Sequence, residues 1–476
     1  MAIALGFASA VVLWCTWLLC HMPAIKLPIS QSGPILLVVQ AVVLVLGCWA
    51  VPRAHRITVG ALAGLVGGSI NLLLLGSKLG KATGEAVGSA APGASGLEAS
   101  AGLIAGGFLL GSVLIGTFSG VIARFSKPTG PGEVAHSRAA WLGMFAWIAA
   151  IATFPLLLLG GWVTSTNAGL TVPDWPGTFG ANMFLYPLSI MDRDPRVFSE
   201  HTHRLFGSLI GLTTLTMLVL VLWAEPRRWV KAWTAAAFVA VCVQGVMGAG
   251  WVVGKTVALA IAHGILGQIF FASMVALAVV LSPQFIKSVR ASIGGGGGRL
   301  MAALLACLSL HLIFGAMYRH LRLDYWLYSH IGLSLIVMAL CIAAGVVMIR
   351  RGKALAAQSV VPNSPAPLAP ALLAPPPAPW LVGRLKKLGM GLHIIVSAQF
   401  VLGWVAWAVI AGSPTSGRVL PTDKDLATTP MIPVIEATFR TLHQANGAIL
   451  LAVAAASAVW IWRLTVAKNQ PASALQ

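Results

Sequence analysis

A glutamate, two histidines and an arginine fall within five residues, EHTHR (Glu200–Arg204), and the chain then runs into LFGSLIGLTTLTMLVLVLWA, a stretch suited to lipid. Ionisable groups at the mouth of a membrane helix are expensive and mark functional sites. Four of the 11 histidines share this placement: His203, His263, His330 and His443 each lie near one end of an apolar run. Three continue as His-x-x-x-Gly (His203/Gly207, His263/Gly267, His443/Gly447), and the fourth continues to Ser334. Four residues make one helical turn on one face, and a glycine there lets something broad and flat lie against the backbone. A macrocycle whose iron takes an axial imidazole on each side suits that geometry, with His203 facing His263 and His330 facing His443.

A single intramembrane histidine serves equally well as an interhelical hydrogen-bonding residue, so the argument rests on four at matched positions. Zinc is the rival metal, but no cysteine or carboxylate completes a tetrahedral set beside either pair. His201 lies off the face of His203 and reads as an interfacial residue. His21, His55 and His136 flank apolar runs and read as solvent or headgroup contacts, and His311, His320 and His393 as structural. Glu200 precedes His203 by three residues, about 4.5 Å along a helix axis and on nearly the same face. Its repeat equivalent, Leu327, cannot ionise, so one pair is expected to have a carboxylate beside it and the other none. A helix-terminal acid complementing the macrodipole is the plainer account of Glu200. Arg204, Arg319 and Arg440 lie at the same level and suit carboxylates such as haem propionates, or headgroups to which they snorkel.

The elements that must carry these residues are membrane helices. The chain is 58% hydrophobic and 9% charged over 476 residues. Twelve apolar runs are long enough to cross a bilayer, at about 3–22, 35–51, 57–76, 100–123, 140–163, 201–223, 232–253, 258–282, 300–318, 327–349, 388–412 and 438–462. They are too continuous for barrel strands. The expected class is an all-α polytopic membrane protein. The net charge of +19 is placed by side: one set of loops with the C-terminal tail holds 19 Lys and Arg, the other set 10. Most loop acids (Asp174, Asp192, Asp194, Asp423, Asp425) lie in the poorer set. This is the positive-inside bias, and it puts both termini in the cytoplasm. The basic excess therefore reports topology and lipid contact, not nucleic acid. The six cysteines have neither metal-ligand nor redox spacing and read as buried thiols.

From residue 140 onward the helices read as two copies of a four-helix unit. EHTHRLFGSL and AHGILGQIFFA in the first copy match YSHIGLSLIV and LHQANGAILLA in the second, while QGVMGAGW, HLIFGAMYRH and QFVLGWVAW each carry polar-x-x-x-Gly at similar depth. The division follows: 1–135, an N-terminal four-helix membrane region; 136–290, a first haem-binding repeat; 291–476, a second, with a Pro/Ala-rich linker at 352–379 that should be extended. Gly294–Gly298 is a shorter joint. The N-terminal helices hold few polar side chains within their spans, Asn71 among them, which argues for packing, assembly or partner docking rather than chemistry.

GGWVTSTNAGLTVPDWPG (160–177) followed by EHTHRLFG, QGVMGAGW and AHGILGQ resembles the haem A synthase family, over about 140–465. The resemblance implies oxidation of the C8 methyl of haem O to a formyl group by successive hydroxylations with water, giving haem A for terminal oxidases. It implies Glu200 as the essential acid, His203 and His263 as the pair for the haem O substrate, and His330 and His443 as ligands of a resident haem B. Implied partners are haem O synthase as supplier, a quinone or another electron acceptor, and membrane lipid; assembly with further copies of the chain stays open. The implied location is the cell's inner membrane, multi-pass. One departure stands out: many bacterial members have a cysteine pair flanking Pro-Asp-Trp-Pro, where this chain has Val172 and Thr178. With no disulfide available, the loop 164–199 is expected to keep its shape by packing of Pro173, Trp175 and Pro176. The readings kept beside the enzyme are a dihaem electron-transfer cytochrome linked to quinol, and a repeat-built transporter. The latter usually breaks its helices at mid-membrane depth, whereas these polar residues cluster at one end.

Overall fold

The computed structural model describes residues 1–82, 94–126, 137–288, 297–358, 379–412 and 432–464. His136, Asp423, Asp425, most of the linker 352–379, the residues of the five-glycine run before Gly297 and the expected 290/291 division lie outside the described residues.

Among those described, twelve helices are long and apolar enough to cross a membrane, in the order the apolar runs indicate. They are α1 (Ala2–His21), α2 (Ile29–Cys48), α3 (Arg56–Leu79), α4 (Ala101–Ser126) and α5 (Arg138–Ser165). After a short α6 (Leu188–Met191) come α7 (Pro195–Ala224), α8 (Arg228–Gly254) and α9 (Val257–Leu281). A second short helix, α10 (Pro283–Lys287), leads to α11 (Gly297–Leu321), α12 (Asp324–Gln358), α13 (Pro379–Ala411) and α14 (Val434–Leu464). The chain is an all-α polytopic membrane protein with one small addition. Strand β1 (Gly80–Ala82) pairs antiparallel with β2 (Ala94–Leu97) inside the stretch 77–99, which the sequence presents only as a small-residue loop.

Local signals set the ends that matter for the site. Asp194 caps α7 by accepting from Arg196 N at 2.8 Å, with Pro195 in the first turn, where its missing N–H costs nothing. The helix therefore starts six residues before the apolar run, and Glu200 and His203 lie within it rather than at its entrance. Ser137 caps α5 in the same way, accepting from Ala140 N at 3.2 Å. α8 stops at Lys255, in the left-handed region with φ 51°.

Two rings of helices follow one another. α5 packs on α7 and α9, and α8 closes the ring; α11, α12, α13 and α14 repeat the pattern, and the rings meet where α14 lies on α5 and α9. The N-terminal helices attach through α1, which packs on α3 and α5. Its fully buried Trp14 donates to Asn71 Oδ1 at 3.1 Å and meets Phe206 of α7 edge-on at 5.5 Å. Lipid is as apolar as leucine, so close packing and such hydrogen bonds, each worth about 1 kcal/mol, hold these helices together. α3 and α4 approach through Gly60, Gly64, Gly116 and Gly120, whose missing side chains let backbone meet backbone.

Candidate functional site

The four matched histidines form two pairs at the same end of the two rings. The rings of His203 (α7) and His263 (α9) have centroids 6.4 Å apart and planes at 81°; those of His330 (α12) and His443 (α14) are 6.1 Å apart at 78°. Each imidazole lies against a glycine of a neighbouring helix. A Cβ on Gly160, Gly248, Gly315 or Gly403 would come within 2.9, 3.3, 2.9 and 3.1 Å of the Cε1 of His203, His263, His330 and His443 respectively. These four glycines house the rings, a role that the polar-x-x-x-Gly setting of Gly248, Gly315 and Gly403 hints at but does not state.

The ring orientation is set from the same neighbours. His263 Nδ1 donates to the Gln244 carbonyl at 3.1 Å and His330 Nδ1 to the His311 carbonyl at 3.0 Å. In a neutral imidazole that leaves Nε2 as the lone-pair nitrogen, the usual arrangement behind a metal-ligating histidine. Gln244 returns a bond from Nε2 to the His263 carbonyl at 3.1 Å, and His311 one to the His330 carbonyl at 3.1 Å. Gln399 Nε2 lies 3.3 Å from His443 Nδ1. The fourth imidazole differs in its neighbour: Leu156, whose backbone His203 faces, stands where His311 stands in the second ring of helices, and its side chain returns no hydrogen bond. His311 is thus a neighbour of the site, stacked on His330 with centroids 3.8 Å apart.

The glycines after the histidines divide in use. Around Gly207 a Cβ would meet nothing within 4 Å, which is the open backbone a flat group needs. At Gly267 and Gly447 the space is taken by the side chains of Gln244 and Gln399, each 3.1 Å from a would-be Cβ. Those two glycines seat a glutamine from the neighbouring helix, so of the three only Gly207 keeps the open backbone that the flat-ligand reading requires.

Glu200 is almost fully buried and both its oxygens are engaged: Oε1 accepts from Arg204 Nη2 at 2.6 Å and Oε2 from Val172 N at 2.9 Å. Arg204 also donates to the carbonyls of Asp174 (2.7 Å), Gly177 (3.0 Å) and Val172 (2.9 Å). His201, expected at the interface, is instead fully buried under this loop, its Nδ1 3.0 Å from Thr178 Oγ1. The two positions without cysteines are therefore among those that fasten the loop to α7. Trp175 is 47% exposed and packs little, so the expectation of a loop held by Pro and Trp packing gives way to a polar latch. The Asp174 carboxylate completes it, accepting from Phe179 N at 2.7 Å and Gly180 N at 2.9 Å. His21 is likewise buried, its ring Nδ1 donating to the Trp17 carbonyl at 2.8 Å, and not a solvent contact.

A second buried carboxylate corrects the expected contrast between the pairs. Glu436, seven residues before His443, pairs with Arg440 at 3.1 Å in the same i,i+4 frame as Glu200 and Arg204. What differs is distance along the helix: about 4.5 Å of rise separates Glu200 from His203, and about 10 Å separates Glu436 from His443. Arg319 reaches from α11 into the junction of the rings, donating to Gln444 Oε1 (2.5 Å), the Gly161 carbonyl (3.0 Å) and Ser165 Oγ (2.7 Å).

Two metal–nitrogen bonds of about 2 Å, with about 1 Å from each Nε2 to its ring centre, give about 6 Å between centroids. Both pairs meet that spacing. Among the described residues no group of three or more His, Cys, Asp or Glu could hold a metal ion. The arrangement therefore suits a metal that brings its own equatorial ligands, as a porphyrin iron does.

Residues 143–329 match the model of the COX15-CtaA family, described as cytochrome oxidase assembly protein. The matched stretch holds Glu200, His203, Arg204, His263 and Arg319, and stops one residue short of His330. No curated protein matches the chain.

Proposed function

We propose that this membrane protein serves cytochrome oxidase assembly by oxidising the C8 methyl group of haem O to a formyl group, giving haem A. One observation carries the reading. Two imidazole pairs have the spacing of axial ligation, and only one of them, inside the family-matched stretch, has a buried carboxylate within one turn. His203 and His263 would hold the haem O substrate, and His330 and His443 a resident haem B, which supplies a one-electron store when bound. Each hydroxylation exchanges a C–H hydrogen for the hydroxyl of water and releases two electrons and two protons. Two such steps give a geminal diol, which loses water to the formyl group. Glu200 takes the protons, and the electrons leave to a quinone or another acceptor. Arg319 and Arg440, beside the second pair, are the cations for haem carboxylates. Arg204, with four contacts to the loop and Glu200, belongs to the latch. The charge bias of the loops supports an orientation with both termini in the cytoplasm, and the resemblance to haem A synthases supports the cell's inner membrane.

The near-identical geometry of the two pairs favours a second reading, a dihaem cytochrome that only passes electrons. Haem typing of the full chain, purified from membranes supplied with haem O, separates the two. The enzyme yields haem A and hydroxylated haem alongside haem B; haem B alone, in both pairs, would establish the carrier and overturn the enzyme.

A further inference from the structure

The N-terminal helices lie outside the family-matched stretch, yet they hold the loop that latches Glu200. At the end of α3, Gly76 and Gly80 lie so close to the carbonyls of Phe184 and Leu185 that a Cβ at either position has no room. Lys26 Nζ, between α1 and α2, donates to the carbonyl of Asp192 at 3.2 Å. Trp17 stacks on Phe198 in the first turn of α7, with centroids 6.1 Å apart. The loop is thus gripped on the backbone at 184, 185 and 192 by groups from α3 and the α1–α2 turn.

From that grip the path to the carboxylate is short. Leu185 is followed by Tyr186, fully buried, whose ring meets His201 at 5.4 Å and Phe179 at 5.9 Å. His201 holds Thr178, and six residues back Val172 N donates to Glu200. Each link is a buried contact between rigid groups, so displacement at Leu185 must be taken up between Thr178 and Val172.

We propose that the N-terminal four helices are a built-in brace: they set the position of the loop from Val172 to Asp192 and, through it, of the Glu200 carboxylate. Gly76, Gly80 and Lys26 are the positioning residues. The proposal rests on the functional reading only in naming Glu200 as the group that profits; the brace itself is a statement about the loop.

Hydrogen exchange followed by mass spectrometry on the full-length chain tests it. Gly76→Leu and Gly80→Leu insert side chains where the loop backbone now lies. Amides in 168–185 should exchange about tenfold faster, while those in 311–345 keep their rates. Lys26→Met, which threatens folding less, should speed the same segment by a smaller factor, and Lys26→Arg should restore it. Gly106→Leu on α4, where a Cβ meets nothing within 4 Å, adds the same bulk without effect. Unchanged exchange at 168–185 in both Gly80→Leu and Lys26→Met would overturn the brace, as would an equal rise in 311–345, which means general loosening. Because exchange is read without haem, failure here leaves the functional reading standing, and a failed haem assay leaves the brace standing.

Discussion

Arg319 Nη2 donates to Ser165 Oγ at 2.7 Å across the junction of the two helix rings. The same guanidinium holds Gly161, next to the glycine that houses His203, and Gln444, next to His443. One planar fork therefore registers the two histidine pairs against each other, which a point charge on a flexible stem does poorly. Arg319→Leu should lower stability by about 2–4 kcal/mol, since it strands the Gln444 and Gly161 acceptors away from water. Arg319→Lys should fall between. Thermal unfolding of the purified full chain in detergent gives the order; equal melting of all three would remove Arg319 as a junction residue.

The ring-housing glycines make a local test of the pairs. Gly315→Ala drives a methyl against His330, so the low-spin haem B spectrum assigned to the second pair should broaden or vanish while the first pair still binds haem O. Gly160→Ala should do the reverse through His203. His330→Ala or His443→Ala should abolish the haem B spectrum outright. Wild-type haem B stoichiometry in both histidine variants would end the assignment.

How much of this was readable beforehand follows from what sets each feature. The helices were legible because span length and apolarity are properties of contiguous residues, and His203, His263, His330 and His443 because their spacing repeats. Features made by distant segments were not. Nothing local to His201 says that Thr178 folds over it, and nothing local to Gly315 says that a ring from α12 fills its place. Glu436 left a local signal, the i,i+4 spacing to Arg440 ahead of His443, that a search for acids three residues before a histidine passes over.

Thiol chemistry should be irrelevant to the loop. All six cysteines are free and none lies between Ser165 and Glu200. Reductants or a membrane-impermeant alkylating agent should leave haem A yield unchanged, whereas strong inhibition would contradict a latch made of Glu200, Arg204 and Thr178.

Asp192 gives the loop a pH signature. Burial raises its carboxyl above the ordinary value, against the opposing pull of His21, Lys26 and Lys78. A carboxylate whose folded pKa is raised binds its proton more tightly when folded. Its contribution is thus full below the unfolded value and is lost as pH rises through the folded one. At neutral pH the charged form is a strain, so Asp192→Asn should raise the melting temperature slightly and flatten its decline as pH rises through the raised value of this carboxyl. A lower melting temperature at pH 7 would mean that pairing with the nearby cations outweighs burial.

Glu200 decides between chemistry and mere fastening, because its carboxylate serves the latch as well as lying beside His203. The two oxygens receive Arg204 and the backbone of Val172 and Thr171, which leaves a lone pair with which to take a proton. Glu200→Gln turns an N–H₂ toward one of those donors, so it weakens the latch while removing the base. Arg204→Lys weakens the latch and leaves the base in place. If Glu200 accepts protons from the attacking water, Glu200→Gln should cut haem A formation by about 10²–10⁴-fold, with haem O still bound. Arg204→Lys should then lose far less activity at a comparable rise in loop exchange. Chromatography of haem O, hydroxylated haem and haem A, beside exchange rates for 168–185, reads both quantities on the same preparations. Equal losses of product at equal loosening would reduce Glu200 to a fastening of the loop, and the electron-carrier reading would gain.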